Sequence, residues 1–297
     1  MTISARDPGR VLLTGGRGFL GRALTQRMAR DGIRFVASDI SGDPSCDITD
    51  AAAVEDMVAK GGFDTILHCG AVSGPMLLSD RPAEIWRINA TGTVNILEAA
   101  RRHSVRRVVV CSTSEVYGDL RGAVDEDTLA RPRNLYGASK LAAEHAVLAY
   151  AAEHDVDAVA LRLGWIYGPG RTTPTVLEAA LRAVAAGQDA ALDAHPDDMT
   201  HYIHVDDAVA GVMAAAVART LPHRVYNISS GPALPMSDVI GTIIRAYPGT
   251  RLSLLAARPP EIHPDHVVAV RAQRDMGFQP RIPFDEGIRA YVRSLAT

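Results

Sequence analysis

Cysteine is scarce in this chain, and neither sign of charge dominates it. There are three cysteines among 297 residues. Cys46, Cys69 and Cys111 form no Cys-x-x-Cys pair and are odd in number, so no disulfide framework is expected and a reducing cytoplasm fits. Lysine plus arginine (31) and aspartate plus glutamate (34) leave a net charge of −3. No global basic field is present to attract nucleic acid or anionic lipid. No apolar run approaches the roughly 18 residues that cross a bilayer. The opening MTISARDPGR has no apolar core of a secretion signal. The histidines include no His-Glu-x-x-His, so no metal is expected. Repeats, low-complexity tracts and charge blocks are also missing. What remains is 47% apolar and 22% charged, ordinary globular usage. The length suits one large domain, or a domain with a smaller appendage.

Strand-like and helix-like segments alternate along the first half. Apolar runs at 11–14, 34–38, 65–68, 106–111 and 158–163 are separated by helical patterns at 19–30, 50–59, 82–102 and 135–153. Such alternation predicts a parallel sheet covered on both faces, an α/β doubly wound fold. After Gly164 the pattern loosens, with helices expected at 174–186, 206–218 and 236–247. We read 1–163 as the cofactor domain and 164–297 as mostly a smaller substrate domain. A segment near 200–228 returns to the first, with 224–228 as a sheet strand.

Between the first strand and first helix lies Thr14-Gly-Gly-Arg-Gly-Phe-Leu-Gly21. Gly15, Gly18 and Gly21 have the spacing that permits a tight turn, a close backbone approach to a pyrophosphate, and a close helix–sheet contact. The helix start then offers free N–H groups to phosphate. The bland alternative is a plain glycine-rich turn. Asp39 ends the second strand, 18 residues after Gly21. A carboxylate there bonds ribose hydroxyls and repels a 2′-phosphate, which favours NAD over NADP. Asp47 and Ile48 follow in a loop that suits the adenine, although Asp47 also suits a helix start.

Tyr136 and Lys140 stand four apart in a helical pattern, hence on one face. A free phenol, with a pKa of about 10, is a poor base. A neighbouring ammonium and an oxidised nicotinamide both favour the phenolate. Thr113, just past a buried strand, is placed to hold the oxygen that Tyr136 deprotonates.

These segments, with His68-Cys-Gly-Ala71, Asn89 in INATGT, STSEVYG, YGASK and YIHVDD at 202–207, resemble the extended short-chain dehydrogenase/reductase family, its NAD-dependent epimerase/dehydratase group. The resemblance spans nearly the whole chain. It implies a Rossmann fold, bound NAD, a Thr113–Tyr136–Lys140 triad, and a homodimer through helices near 90–102 and 136–153. It further implies cofactor contacts from Phe19, Leu20, Cys69, Gly70, Ala71 and Asn89. On the substrate side it implies Ser73 and Ser114. Glu115 matches a glutamate that some dehydratases of the family use as a base.

The chain departs from the nucleotide-sugar pattern at two positions. Trp165 stands where those members usually carry a diphosphate-binding Asn, and Thr200-His201 where they carry an Arg. A diphosphate needs charge-assisted donors, and Trp165 has one neutral N–H. Arg258 matches a later phosphate-binding Arg of the family. The expected substrate is therefore a free sugar, a sugar acid or a polyol-derived acid, with His201 a candidate contact for its carboxylate. A nucleotide-sugar epimerase, dehydratase or decarboxylase is the alternative, and an NAD-sensing protein on the same fold is the non-enzyme alternative.

Overall fold

In the computed structural model, which describes residues 6–255 and 257–296, six strands form one fully parallel sheet. In spatial order they are Val225–Ile228, Ala158–Leu163, Arg107–Thr113, Thr65–His68, Val11–Thr14 and Phe35–Ser38. From Val11–Thr14 the chain first moves outward to Phe35–Ser38 and then returns to Thr65–His68 on the other side. A reversal of this kind opens a crevice at the carboxyl ends of the strands. Residues 1–5, the start of the segment read for a secretion signal, lie outside the described residues.

The continuous apolar runs are explained by burial on both faces. Leu13, Val109 and Leu161 face one core with Leu24, Met28 and Val212. Leu12, Ile66 and Val110 face the other with Val54, Leu97 and Val147. Each such aliphatic side chain contributes about 1.5–3 kcal/mol when fully buried. A third cluster, with Leu177, Leu181, Tyr202, Val239 and Ile288, is built by the helices Val176–Ala186, Met236–Ala246 and Phe284–Leu295. The strand Val225–Ile228 pairs with Ala158–Leu163, which returns the later part of the chain to the main sheet.

Segment 82–102 is helical but is not one α-helix. Pro82–Trp86 and Gly92–Arg102 flank a π-helical turn, Arg87–Thr91. The wider turn brings Asn89 inward, where its Oδ1 accepts the Val72 N–H at 2.8 Å and its Nδ2 donates to Ser139 Oγ at 3.0 Å. Periodicity does not reveal such a turn, because the apolar residues on either side keep facing the core. The short strand Trp165–Tyr167 was also not anticipated, since three residues show no periodicity. Among the described residues no helix is long and apolar enough to cross a membrane.

Candidate active site

The crevice is a cavity of about 500 Å³ running from the glycine loop to the Trp165 strand. Gly15 has φ +70°, and a Cβ there would lie 2.6 Å from the Cys69 carbonyl carbon. A Cβ at Gly21 would lie 2.0 Å from the Gly15 carbonyl oxygen. The loop therefore admits no side chain at either position and packs directly on the next strand end. That leaves the start of helix Phe19–Arg30, with no acidic residue in its first turn, open to an anion.

Asp39 also lines the cavity. Its Oδ2 accepts the Arg17 N–H at 2.9 Å and its Oδ1 the Ile40 N–H at 2.8 Å. The carboxylate is thus fixed beside the glycine loop. We expect NAD to bind at least about tenfold more tightly than NADP, because a 2′-phosphate placed here would meet a like charge. Asp39→Ala should narrow the gap, and equal affinities in the unaltered chain by calorimetry would refute this role. Asp47 accepts from the N–H and hydroxyl of Thr49 at 2.9 and 2.7 Å, so backbone hydrogen bonding holds its carboxyl below the usual range. The helix cap itself is Asp50, which accepts from Ala52 and Ala53 N–H.

Of the residues expected to meet the cofactor, Gly15, Gly18, Phe19, Leu20, Asp39, Asp47, Ile48, Cys69, Gly70, Ala71, Tyr136 and Lys140 all line this cavity. Asn89 does not; its amide is spent on Val72 and Ser139, and Ser139 Oγ in turn donates to the Tyr136 carbonyl at 2.8 Å. It braces the helix Leu135–His154 rather than facing the cavity.

Thr113, at the end of its strand, lines the cavity with Glu115, Tyr136 and Lys140. Asn134 starts the helix Leu135–His154 by accepting the Gly137 N–H at 2.7 Å. This fixes Tyr136 and Lys140 at the helix's first turns. Burial pushes the Tyr136 phenol well above its ordinary value, and the Thr113 hydroxyl, which shares a hydrogen bond with it, pulls the other way. Burial thus works against the phenolate expected from the sequence, while the Thr113 hydrogen bond and the charge of Arg171 favour it. Burial also lowers Lys140, whose surroundings are Cys111, Cys69 and Glu144.

Beneath the loop runs a directional hydrogen-bond chain. The Gly70 N–H donates to Thr14 Oγ1 at 3.2 Å, and Thr14 Oγ1 meets His68 Nδ1 at 2.7 Å. His68 Nε2 meets Thr93 Oγ1 at 3.2 Å, and that hydroxyl donates to the Asn89 carbonyl at 2.7 Å. Each hydroxyl has one proton, so His68 carries its own on Nε2. Burial lowers this histidine to about 3 and keeps it neutral.

On the substrate side, Ser73 and Trp165 line the cavity, but Ser114, His201 and Arg258 are not among its walls. His201 is buried, with Nε2 bonded to the Pro264 carbonyl at 2.6 Å. Arg258 grips Asp198 through both terminal nitrogens at 2.9 and 2.7 Å. Sequence reasoning left Arg171 as no more than an available cation. It follows Tyr167-Gly-Pro-Gly170, whose glycines have φ of +136° and +86°, and it enters the cavity wall. Its guanidinium lies 5.7 Å from the Trp165 ring and 5.8 Å from the Phe19 ring. One terminal nitrogen donates to the Ile166 carbonyl at 2.6 Å, while its Nε has no partner. Burial lowers its pKa, and the charge of Glu178 is among the weaker influences that raise it.

The family model described as "NAD dependent epimerase/dehydratase family" matches residues 11–229. The chain belongs to that family. It is an NAD-dependent enzyme of the extended short-chain dehydrogenase/reductase type. It is 29% identical over 307 residues to a dTDP-glucose 4,6-dehydratase of Streptomyces griseus, covering 95% of this chain and 92% of the relative. A UDP-glucose 4-epimerase of Streptomyces lividans is 30% identical, with 80% of each chain covered. Among solved structures, MoeE5 in complex with UDP-glucuronic acid and NAD superposes with a TM-score of 0.87 at 30% identity, over 96% of this chain and 98% of that one. The residues around the cavity fit NAD: a loop without side chains at a helix start, a fixed carboxylate, and a buried lysine in the cavity wall.

Proposed function

We propose that this enzyme removes hydride from a carbinol carbon of a sugar acid, with Arg171 holding the acid's carboxylate. The observation that carries the reading is the half-buried Arg171 at the cavity wall, whose Nε is buried and unpartnered. A buried N–H of a guanidinium left without a hydrogen-bond partner is costly, and a carboxylate is the ligand that best relieves it. Arg171 also lies near enough to Tyr136 for each to perturb the other's titration, so the anion it binds sits close to the reacting carbon.

Bound NAD supplies the hydride acceptor. The Thr113 hydroxyl holds the substrate oxygen while Tyr136 Oη takes its proton. Lys140, on the same helix face, keeps a positive charge beside the phenolate as it forms. Trp165 offers a flat wall to the C–H face of the sugar. The ketone then leaves as product, or regains hydride on its other face; the same residues serve both outcomes.

Free aldonates and uronates should be compared with UDP-, GDP- and dTDP-sugars, following NADH absorbance and product stereochemistry. Arg258 is committed to Asp198, so a diphosphate would lose one of the charge-assisted donors expected for it, a bond worth roughly 1.5–3 kcal/mol. We expect the free acids to show the higher kcat/KM, and Arg171→Met to raise KM for an acid more than for its neutral alcohol. The names of the relatives favour a second reading, a nucleotide-sugar epimerase or dehydratase. A far higher kcat/KM with any nucleotide sugar would establish it and make Glu115 the next residue to test.

We also propose a cytoplasmic homodimer built on the helices Gly92–Arg102 and Leu135–His154. Support comes from exposed Val94 and Leu148 on those helices and from neighbouring Trp86, which is 44% exposed. Sedimentation at micromolar concentration should show twice the chain mass, and a lone monomer refutes the dimer.

A further inference from the structure

Two of the three cysteines meet in the floor of the cavity. Cys69 follows the strand Thr65–His68 and Cys111 lies within the neighbouring parallel strand Arg107–Thr113; His68 is opposite Val110, so the two cysteines occupy the next rung with side chains on one face. Their sulfurs are 3.4 Å apart, and each is the other's hydrogen-bond partner. Adjacent strands run about 4.8 Å apart, inside the Cα span that a disulfide bridges. Closing from 3.4 Å to a bond of about 2.05 Å needs sulfur movement of roughly 1.4 Å, within reach of side-chain rotation. Both side chains line the cavity, as does Lys140.

We propose that Cys69 and Cys111 are a dithiol oxidation site, which a hydroperoxide entering the cofactor cavity converts to a disulfide. Buried cysteines are ordinarily inert, and reactive ones sit partly exposed beside positive charge. Here the cavity gives access; the hydrogen bond between the two sulfurs holds Cys111 below its ordinary value, helped by the charge of Lys140, and the same bond with burial pushes Cys69 up. The Cys111 sulfur attacks one peroxide oxygen, the O–O bond breaks, and hydroxide leaves to become water. The Cys69 sulfur then attacks the resulting sulfenic sulfur and displaces a second hydroxide, which leaves as water with the thiol proton. Two thiols and one hydrogen peroxide thus become one disulfide and two waters.

The consequence falls on the enzyme's own site. Cys69 precedes Gly70, whose N–H rests on Thr14, and Cys111 lies two residues before Thr113. Drawing the two strand ends together shifts both. The dependence on cofactor rests on the proposed placing of NAD in this cavity, whereas the cross-link itself does not.

The NAD-free chain should be treated with one equivalent of hydrogen peroxide, with thiols counted in denaturant and peptides mapped by mass. All three cysteines are free at the outset. The expected result is a thiol titre that falls from three to one, a peptide joining residues 69 and 111, recovery with dithiothreitol, and severalfold slower loss in saturating NAD. Cys46→Ser should retain the cross-link, while Cys69→Ser and Cys111→Ser should each abolish it. Loss of single thiols, or links only between molecules, overturns the oxidation site. A 69–111 link that forms equally fast with NAD present upholds the site but overturns the placing of the cofactor over it.

Discussion

Tyr136→Phe is expected to lower turnover by about 10²–10⁴-fold, the usual loss for a positioned base, while NAD affinity stays largely intact. The ring remains 9% exposed and packed in either form, so the change removes only the hydroxyl that Thr113 bonds. The pH dependence has a definite sign. The base acts as phenolate, and burial raises the phenol above its ordinary value. Activity must therefore rise with pH and be lost as pH falls and the phenol stays protonated. Removing a nearby positive charge disfavours the phenolate further, so Lys140→Met should move the rising limb to higher pH and weaken NAD binding as well. A Tyr136→Phe enzyme with near-normal kcat means that another group takes the proton. A profile unmoved by Lys140→Met means that the lysine serves binding alone.

The second large effect concerns stability. Arg162, on the strand Ala158–Leu163, is 5% exposed and grips Glu144, which is 1% exposed, with nitrogen–oxygen distances of 2.8 to 3.1 Å. Ser112 donates to the same carboxylate. Glu144 is one turn beyond Lys140, and Ser112 precedes Thr113. The pair thus ties the helix that carries Tyr136 and Lys140 to the strands that carry Thr113 and Arg162. Arg162→Met leaves a buried carboxylate without its counter-ion, which costs about 3–5 kcal/mol. For a chain of this size that is a fall in Tm of roughly 10 °C. Replacing both members, Arg162→Met with Glu144→Met, should recover more than half of the loss, because the penalty lies in the uncompensated charge and not in the missing attraction. Thermal unfolding of the three variants reads this directly. A single Arg162→Met within about 1 kcal/mol of the parent would show that Glu144 takes a proton or reaches water at little cost.

The parts of the site legible in the sequence are those whose chemistry is local. A glycine loop between a strand and a helix must turn tightly wherever it occurs, so Gly15 and Gly21 announce themselves by spacing. Asp39 is read from its place at a strand end. Tyr136 and Lys140 share a face because a helix repeats every 3.6 residues, and the family resemblance joined them to Thr113. The misplaced residues were those whose role depends on where a long loop goes. His201 and Arg258 looked available for a substrate anion, but Pro264 and Asp198, each about 60 residues away, claim them. Asn89 looked like a cofactor contact until the π-helical turn carried its amide inward to Val72 and Ser139.

The sequence by itself determined the alternating fold and the kind of cofactor, and it offered Thr113, Tyr136 and Lys140 as a triad, because strand burial, turn geometry and helix period act over a few residues. Tertiary structure alone decided three other matters. It set Arg171 in the cavity wall with its Nε unpartnered. It threaded Gly70, Thr14, His68 and Thr93 into one chain of hydrogen bonds. It brought Cys69 within 3.4 Å of Cys111. The reason is common to all three: each joins residues that are distant in sequence, and only the strand order and the packing of a non-repeating loop bring such residues to one point.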